Sequence, residues 1–258
     1  MNHDIFHEPS IYVVAMSSKI TNICLSKIRM YMLTLLIFMY IMNGIVLPPC
    51  LYRPFTLWGL TLTIIYFTLS LISYHQGRSY SEEDYEIMQH QNHRTFNKIT
   101  VIIFETAWTS EFLIIVVYIF VLAPLVLIKK LVPATASNII FALVDHIIPF
   151  SFLATDLSFN TIVFSSSHIV YSIGLGVLFL IMDCICVLRF HDIEYFIILE
   201  WDNYLTIVSI CLAIILMWLG DFIGRRISRK NMIHRKDGRK LLETNYNEEN
   251  LISVTGKY

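Results

Sequence analysis

The chain has 258 residues, of which 56% are hydrophobic and 15% are charged, and its mean hydropathy is +0.62. Soluble domains contain roughly 45–50% apolar and about 25% charged residues, so this composition excludes an ordinary water-soluble domain and indicates apolar surface that lies in lipid. The formal net charge of -1 gives no global attraction for nucleic acid, and the five cysteines show no disulfide or zinc spacing, so we expect no nucleic-acid partner, metal or cofactor.

The hydrophobic segments predict six spanning helices. All but the third are near the ~20 apolar residues that a helix needs to cross a bilayer, and each is apolar around its whole circumference. Glu105 and Glu111 interrupt the first half of the third segment. We therefore expect an all-α, polytopic membrane protein whose six spans are, in chain order, residues 30–47, 55–74, 100–128, 136–154, 169–188 and 204–223.

These segments divide the chain into three parts. Residues 1–29 form a polar N-terminal segment, residues 30–223 a six-helix membrane domain, and residues 224–258 a tail that is first basic and then polar. The first part lacks the apolar core of a cleaved signal peptide. We expect the first hydrophobic run to stay in the protein as an anchor.

The distribution of Lys and Arg predicts the orientation. Arg53, Lys129, Lys130 and Arg189 lie on one side of the predicted membrane domain, whereas the rest of the 19 Lys and Arg residues lie on the side of the two termini. Basic flanks stay in the cytosol, so both termini are expected there. The basic tail would be a topology anchor, with binding of anionic lipid head groups as the alternative. The span lengths fit the endoplasmic reticulum, within the endomembrane system, as well as the plasma membrane.

Ionisable side chains inside the predicted spans are the candidate functional residues, because each costs about 2.5–3.5 kcal/mol to insert. An imidazole can take a proton from a hydroxyl near neutral pH, and the second span offers Thr56 and Thr63 close to one helix face. From the residues alone we favour a structural interpretation, in which the Thr hydroxyls bond to their own helix and the polar residues pair between helices. The ionisable candidates are Glu105, Glu111, Asp145, His146 and Asp183.

A family resemblance adds to this interpretation. Residues 55–67, Phe-Thr-Leu-Trp-Gly-Leu-Thr-Leu-Thr-Ile-Ile-Tyr-Phe, resemble the second-span signature of the rolling stone family of multi-pass membrane proteins. They also align without gaps with the equivalent span of the androgen-induced membrane hydrolases, which cleave fatty-acid esters of hydroxy fatty acids. Residues 104–118, residues 138–149 and the fifth span from His168 are similar to the same regions of these families. The likeness covers most of the span-containing chain.

The resemblance to the hydrolases implies roles for individual residues. In that family a threonine of the second span is the nucleophile and a histidine of the fourth span is its partner, which implies Thr56 and His146 here, with Asp145 or Asp183 as an orienting carboxylate. Thr56 lies near one end of its predicted span, whereas His146 lies about 15 Å into the layer. Thr63, two turns deeper than Thr56, is therefore the alternative nucleophile.

Three classes of function follow. The first is an intramembrane threonine hydrolase of lipid esters, with the bilayer and a lipid ester as its partners. The second is a non-catalytic, rolling stone-like membrane protein for adhesion, fusion or scaffolding. The third is a proton-coupled transporter or channel that uses Asp145, His146 and Asp183 as a relay. The chain shows no repeated halves, which many transporters have, so this class ranks last.

Overall fold

The computed structural model describes residues 21–46, 55–78, 93–124, 136–160, 162–190 and 204–255, and for parts of these ranges, among them residues 136–143, 186–190 and 232–255, it describes the backbone only. Most of the predicted N-terminal segment, Lys129, Lys130 and the basic side chains beyond residue 231 lie outside this description. Almost all of the described residues are helical, and they contain no β-strand. Their helices are α1 (Asn22–Val46), α2 (Phe55–Arg78), α3 (His93–Val117), α4 (Ala136–Phe159), α5 (Ile169–Phe190) and α6 (Tyr204–Thr255).

Two short helical turns accompany these helices. A π-helical turn, Tyr118–Leu122, continues α3, and a 3-10 turn, Ser166–His168, leads into α5. Within the described residues, five helical segments are long and apolar enough to cross a membrane, and α4 is a further apolar helix of 24 residues. The prediction of an all-α chain with several long apolar helices is confirmed. The five segments are Asn22–Asn43, Phe55–Gln76, Thr95–Val121, Ser166–Ile185 and Thr206–Asn231.

Several helices extend beyond the ends predicted from hydrophobicity. Helix α1 begins before residue 30, and α3 begins before residue 100. Helix α6 continues past residue 223 without a break, and its polar residues Ser228 and Asn231 are buried against the end of α4 and the segment that follows it. At these places the hydrophobic pattern stops because polar residues begin. In the structure those polar residues pack between helices, and the helix extends through them.

Helix α3 is the centre of the bundle. It packs against α2, α4, α5 and α6, while α1 packs against α2 and α4. In its span 67% of the apolar stretch is buried inside the protein, compared with 17–39% for the other four segments. The buried core around α3 is formed by Met32, Leu36, Leu60, Tyr66, Phe67, Val101, Phe104, Ala107, Trp108, Leu153, Leu157, Ile162 and Phe164.

Two glycines let α6 approach this core closely. The indole Nε1 of Trp108 donates a hydrogen bond of 2.8 Å to the carbonyl oxygen of Gly220. A Cβ atom at Gly220 would lie 2.9 Å from the Phe112 ring, and one at Gly224 would overlap the ring of Phe164. Both positions therefore require the absence of a side chain.

Candidate functional site

Several groups of polar side chains lie inside the described part of the bundle. The first joins α1, α2 and α4 through Asp156, whose side chain is buried. Arg29 donates from Nε to Oδ1 at 2.6 Å and from Nη2 to Oδ2 at 3.0 Å, and the Tyr66 hydroxyl also donates to Oδ2. Asn160 Nδ2 adds a bond of 2.8 Å. Because its charges are opposite and closely bonded, this group is suited to holding three helices together.

Sequence reasoning missed this group. The predicted boundaries put Arg29 in the polar N-terminal segment and Asp156 beyond the end of the fourth span. One signal was present, because an Arg just before one span and an Asp just after another would share a side of the membrane in a six-span topology.

The second group joins α3 to the start of α5. His168 Nδ1 lies 3.0 Å from Glu105 Oε2, and the backbone N–H of Ser165 donates to Oε1 at 3.0 Å. One turn along, the Thr109 hydroxyl donates to Ser172 Oγ at 2.6 Å. Glu105, a predicted candidate, is therefore paired with a histidine 63 residues away that was not predicted to be its partner.

The third group contains the predicted site residues of α4. Asp145 accepts a hydrogen bond of 2.7 Å from Asn43 Nδ2 of α1. The ring of His146 packs on Tyr118, with 4.1 Å between the ring centroids, and its Nδ1 is buried without a hydrogen-bond partner among the described residues. Successive residues of a helix point about 100° apart, so Asp145 and His146 contact different neighbours.

The two candidate hydroxyls of α2 differ in exposure. Thr63 is fully buried and donates to the carbonyl oxygen of Gly59 at 2.9 Å, as expected for a threonine inside a helix. Thr56 is half-buried in the first turn of α2. In the described part of the chain no hydrogen bond joins Thr56 to His146.

The register of α2 against α3 places Thr56 near the depth of Tyr118. Gly59 lies against Glu111 and Ile114, whereas Tyr66, further along α2, packs against Phe104, earlier in α3, so the two helices run in opposite directions. At ~1.5 Å per residue, Thr56 is about 4–5 Å from Gly59 along the axis, and Tyr118 is about 6–10 Å from these α3 residues towards the same end. Thr56 therefore lies within about one turn of Tyr118 in depth, and Tyr118 is the residue against which His146 packs.

Glu111 lies deeper in the same half of the bundle. Its carboxyl group is fully buried, and neither oxygen has a hydrogen-bond partner among the described residues. Thr63 of α2 lies beside it. Asp183, the remaining predicted candidate, is buried on α5.

The Tyr118–His146 contact lies where α3 changes from α-helical to π-helical geometry. Single π turns inside helices occur frequently at functional sites. The side chains of His146 and Thr56 are both half-buried and lie at similar depth, although Nδ1 of His146 is itself buried.

The chain was compared with protein families, curated proteins and solved structures, and no match was found.

Proposed function

We propose that the protein is an integral membrane protein with six spans and both termini in the cytosol, and that it hydrolyses lipid esters inside the bilayer. Fatty-acid esters of hydroxy fatty acids are the substrate class that its sequence resemblance favours. One observation carries the proposal: the half-buried His146 has an unpartnered ring nitrogen and lies near the depth of Thr56. The endoplasmic reticulum and the plasma membrane are the membranes we propose.

The mechanism assigns nucleophilic attack to Thr56. Its hydroxyl oxygen attacks the ester carbonyl carbon while His146 takes the hydroxyl proton and then gives it to the oxygen of the departing alcohol. Water next cleaves the acyl-threonine ester, again with His146 as the base, and releases the fatty acid. Asp145 is the residue before the base in α4, and its hydrogen bond is with Asn43 and not with His146.

Accessibility favours Thr56 over Thr63 as the nucleophile. Thr63 has no exposed surface, so an ester could reach it only after the helices separate. Thr56 and His146 are each partly accessible, and a substrate dissolved in the lipid could approach them from the side. Catalytic hydrogen bonds are often incomplete before substrate binds, so the missing Thr56–His146 bond does not exclude this pair.

Labelling with a fluorophosphonate probe tests this proposal. We expect the wild-type protein and Thr63→Ala to be labelled in membranes, and Thr56→Ala and His146→Ala to lose the label at matched expression. Hydrolysis of a fatty-acid ester of a hydroxy fatty acid by the purified protein should follow the same order. Unchanged hydrolysis in a folded Thr56→Ala variant would contradict the proposal.

The second candidate function is non-catalytic, as a membrane protein for adhesion, fusion or scaffolding. It is favoured by the network around Asp156, which joins three helices and in which the charges of Arg29 and Asp156 are paired with each other. In this case wild type would carry no label, and Thr56→Ala and His146→Ala would change only stability or trafficking.

Anionic lipid head groups are proposed as partners of α6 in both cases. Arg226, Arg229 and Lys230 follow the apolar part of α6, and their side chains are exposed. Basic residues next to a span gain about 1 kcal/mol each near an anionic leaflet.

A further inference from the structure

A second imidazole, far from His146, is held by a buried carboxyl group. His168 Nδ1 lies 3.0 Å from Glu105 Oε2, and Oε1 of Glu105 accepts a hydrogen bond of 3.0 Å from the backbone N–H of Ser165. The side chain of Glu105 is 2% exposed, whereas that of His168 is 13% exposed. The carboxyl group therefore lies inside the bundle, and the imidazole lies at its surface.

The other ring nitrogen of His168 is available to a molecule that approaches from outside. With Nδ1 directed at Glu105, Nε2 lies on the part of the ring that faces away from the carboxyl group. Nε2 makes no hydrogen bond with any residue that the structure describes. A histidine that is oriented through Nδ1 by a carboxyl group and presents Nε2 to a substrate has the arrangement of a general base.

Neighbouring hydrogen bonds hold the imidazole in place. One turn further along, the Thr109 hydroxyl donates to Ser172 Oγ at 2.6 Å, so two polar contacts join α3 to the start of α5. The backbone N–H of His168 also donates to the carbonyl oxygen of Ser165 at 3.2 Å. These bonds fix His168 relative to Glu105 before a substrate binds, which favours catalysis because less motion has to be restrained during the reaction.

His168 lies at the level expected for the membrane surface. The ring of Phe164, four residues before it, lies against Gly224 of α6. Aromatic and basic residues are typical of the boundary between hydrocarbon and head groups, where the ester groups of membrane glycerolipids lie. Close to Gly224, α6 carries an exposed cluster of this kind, formed by Trp218, Phe222 and Arg226.

This level is far from the region of Thr56 and His146. Glu105 precedes Tyr118 by 13 residues, which is about 20 Å along the helix at ~1.5 Å per residue. Tyr118 is the residue against which His146 packs. The two imidazoles therefore lie towards opposite ends of the bundle.

From this geometry we propose that His168 and Glu105 form a second hydrolytic site, which cleaves ester bonds of membrane glycerolipids with water as the nucleophile. His168 Nε2 takes a proton from water while the water oxygen attacks the ester carbonyl carbon. The bond from this carbon to the glycerol oxygen then breaks, and His168 gives the proton to that oxygen. The products are a free fatty acid and a lipid with one ester fewer. His168 is the catalytic residue, and Glu105 is a positioning residue that orients its ring.

Release of oleic acid from monooleoylglycerol tests this proposal, with the purified full chain in phosphatidylcholine vesicles. We expect His168→Gln to lower kcat about 10²–10⁴-fold, because it removes the base. Glu105→Gln should lower kcat and leave KM unchanged, because it acts on the orientation of the ring and not on lipid binding. The matched control is His75→Gln, which removes an exposed histidine of α2 that packs on Tyr74 and should keep wild-type kcat.

A fluorophosphonate distinguishes this site from the one proposed at Thr56. Attack by water forms no acyl-enzyme, so wild type that is saturated with the probe should still release oleic acid. Loss of release on saturation would assign the activity to the probe-labelled nucleophile and overturn the second site. If the probe labels no residue, the proposal for Thr56 fails, whereas release that depends on His168 still supports the second site.

Diethyl pyrocarbonate covers the case in which His168→Gln does not fold. This reagent acylates accessible imidazole nitrogens, and hydroxylamine removes the added group. Treated wild type and treated His75→Gln should lose oleic acid release and regain it with hydroxylamine, while mass spectrometry identifies the modified histidine. No release by wild type, or release that survives complete modification of His168, would overturn the proposal.

Discussion

The side chains of Arg29 and Asp156 form an ion pair that is almost wholly removed from solvent, with relative exposures of 1% and 0%. Removing one member leaves the other charge buried without its partner, which costs about 3–5 kcal/mol of stability. We expect Arg29→Met and Asp156→Leu each to lower the free energy of unfolding strongly, as measured by denaturant unfolding in one detergent.

The double variant separates a lost attraction from an unpaired charge. Arg29→Met combined with Asp156→Leu removes both charges, so its loss of stability should be smaller than the sum of the single losses. Additive losses would mean that the two side chains stabilise the protein independently.

Individual polar residues were predictable from the sequence, but their partners were not. Glu105, Asp145 and His146 stand out because ionisable side chains are rare in apolar segments. The pairing of Glu105 with His168 and of Asp145 with Asn43 depends on how helices far apart in sequence pack together. Hydropathy carries no information on that packing. The catalytic roles of Thr56, His146 and Asp145 stay predictions.

At the scale of helices, the close contact of α6 with the core depends on glycine. A methyl group at Gly224 would overlap the Phe164 ring, whereas one at Gly174 on α5 would meet no atom within 4 Å. We expect Gly224→Ala to destabilise the protein by about 1–3 kcal/mol, because added volume in a packed core forces neighbours to move.

Gly174→Ala is the control for this prediction. It adds the same methyl group and the same gain in helix propensity, about 1 kcal/mol, at an open position. Its unfolding midpoint should equal or exceed that of wild type. Equal destabilisation by both variants would contradict the importance of the α6 contact.

The sequence predicts the presence of the apolar helices better than it predicts where they end. The length of each apolar run predicts a helix because the backbone polar groups must be satisfied within the lipid. The ends depend instead on where polar residues find partners. Ser228, for example, donates to the carbonyl oxygen of Ile162 and accepts from the N–H of Phe164, so α6 stays packed well beyond its apolar part.

For the whole molecule, six spans with cytosolic termini predict which loops face the other side. A glycosylation acceptor sequence inserted within residues 191–203 should be modified in the endoplasmic reticulum, because this loop would be luminal. The same insert within residues 79–92, or after residue 255, should stay unmodified. Gel mobility with and without glycosidase gives the result, and modification after residue 255 would mean an odd number of spans.

The central position of α3 has a consequence for how the protein is made. Two of its hydrogen-bonded side chains have partners that come later in the chain: Glu105 pairs with His168 of the turn before α5, and Trp108 bonds to Gly220 of α6. During synthesis α3 leaves the ribosome before those partners exist. Its polar side chains would then face lipid unless the insertion machinery holds the helix back. Assembly of the bundle is therefore expected to finish only when α6 has been inserted.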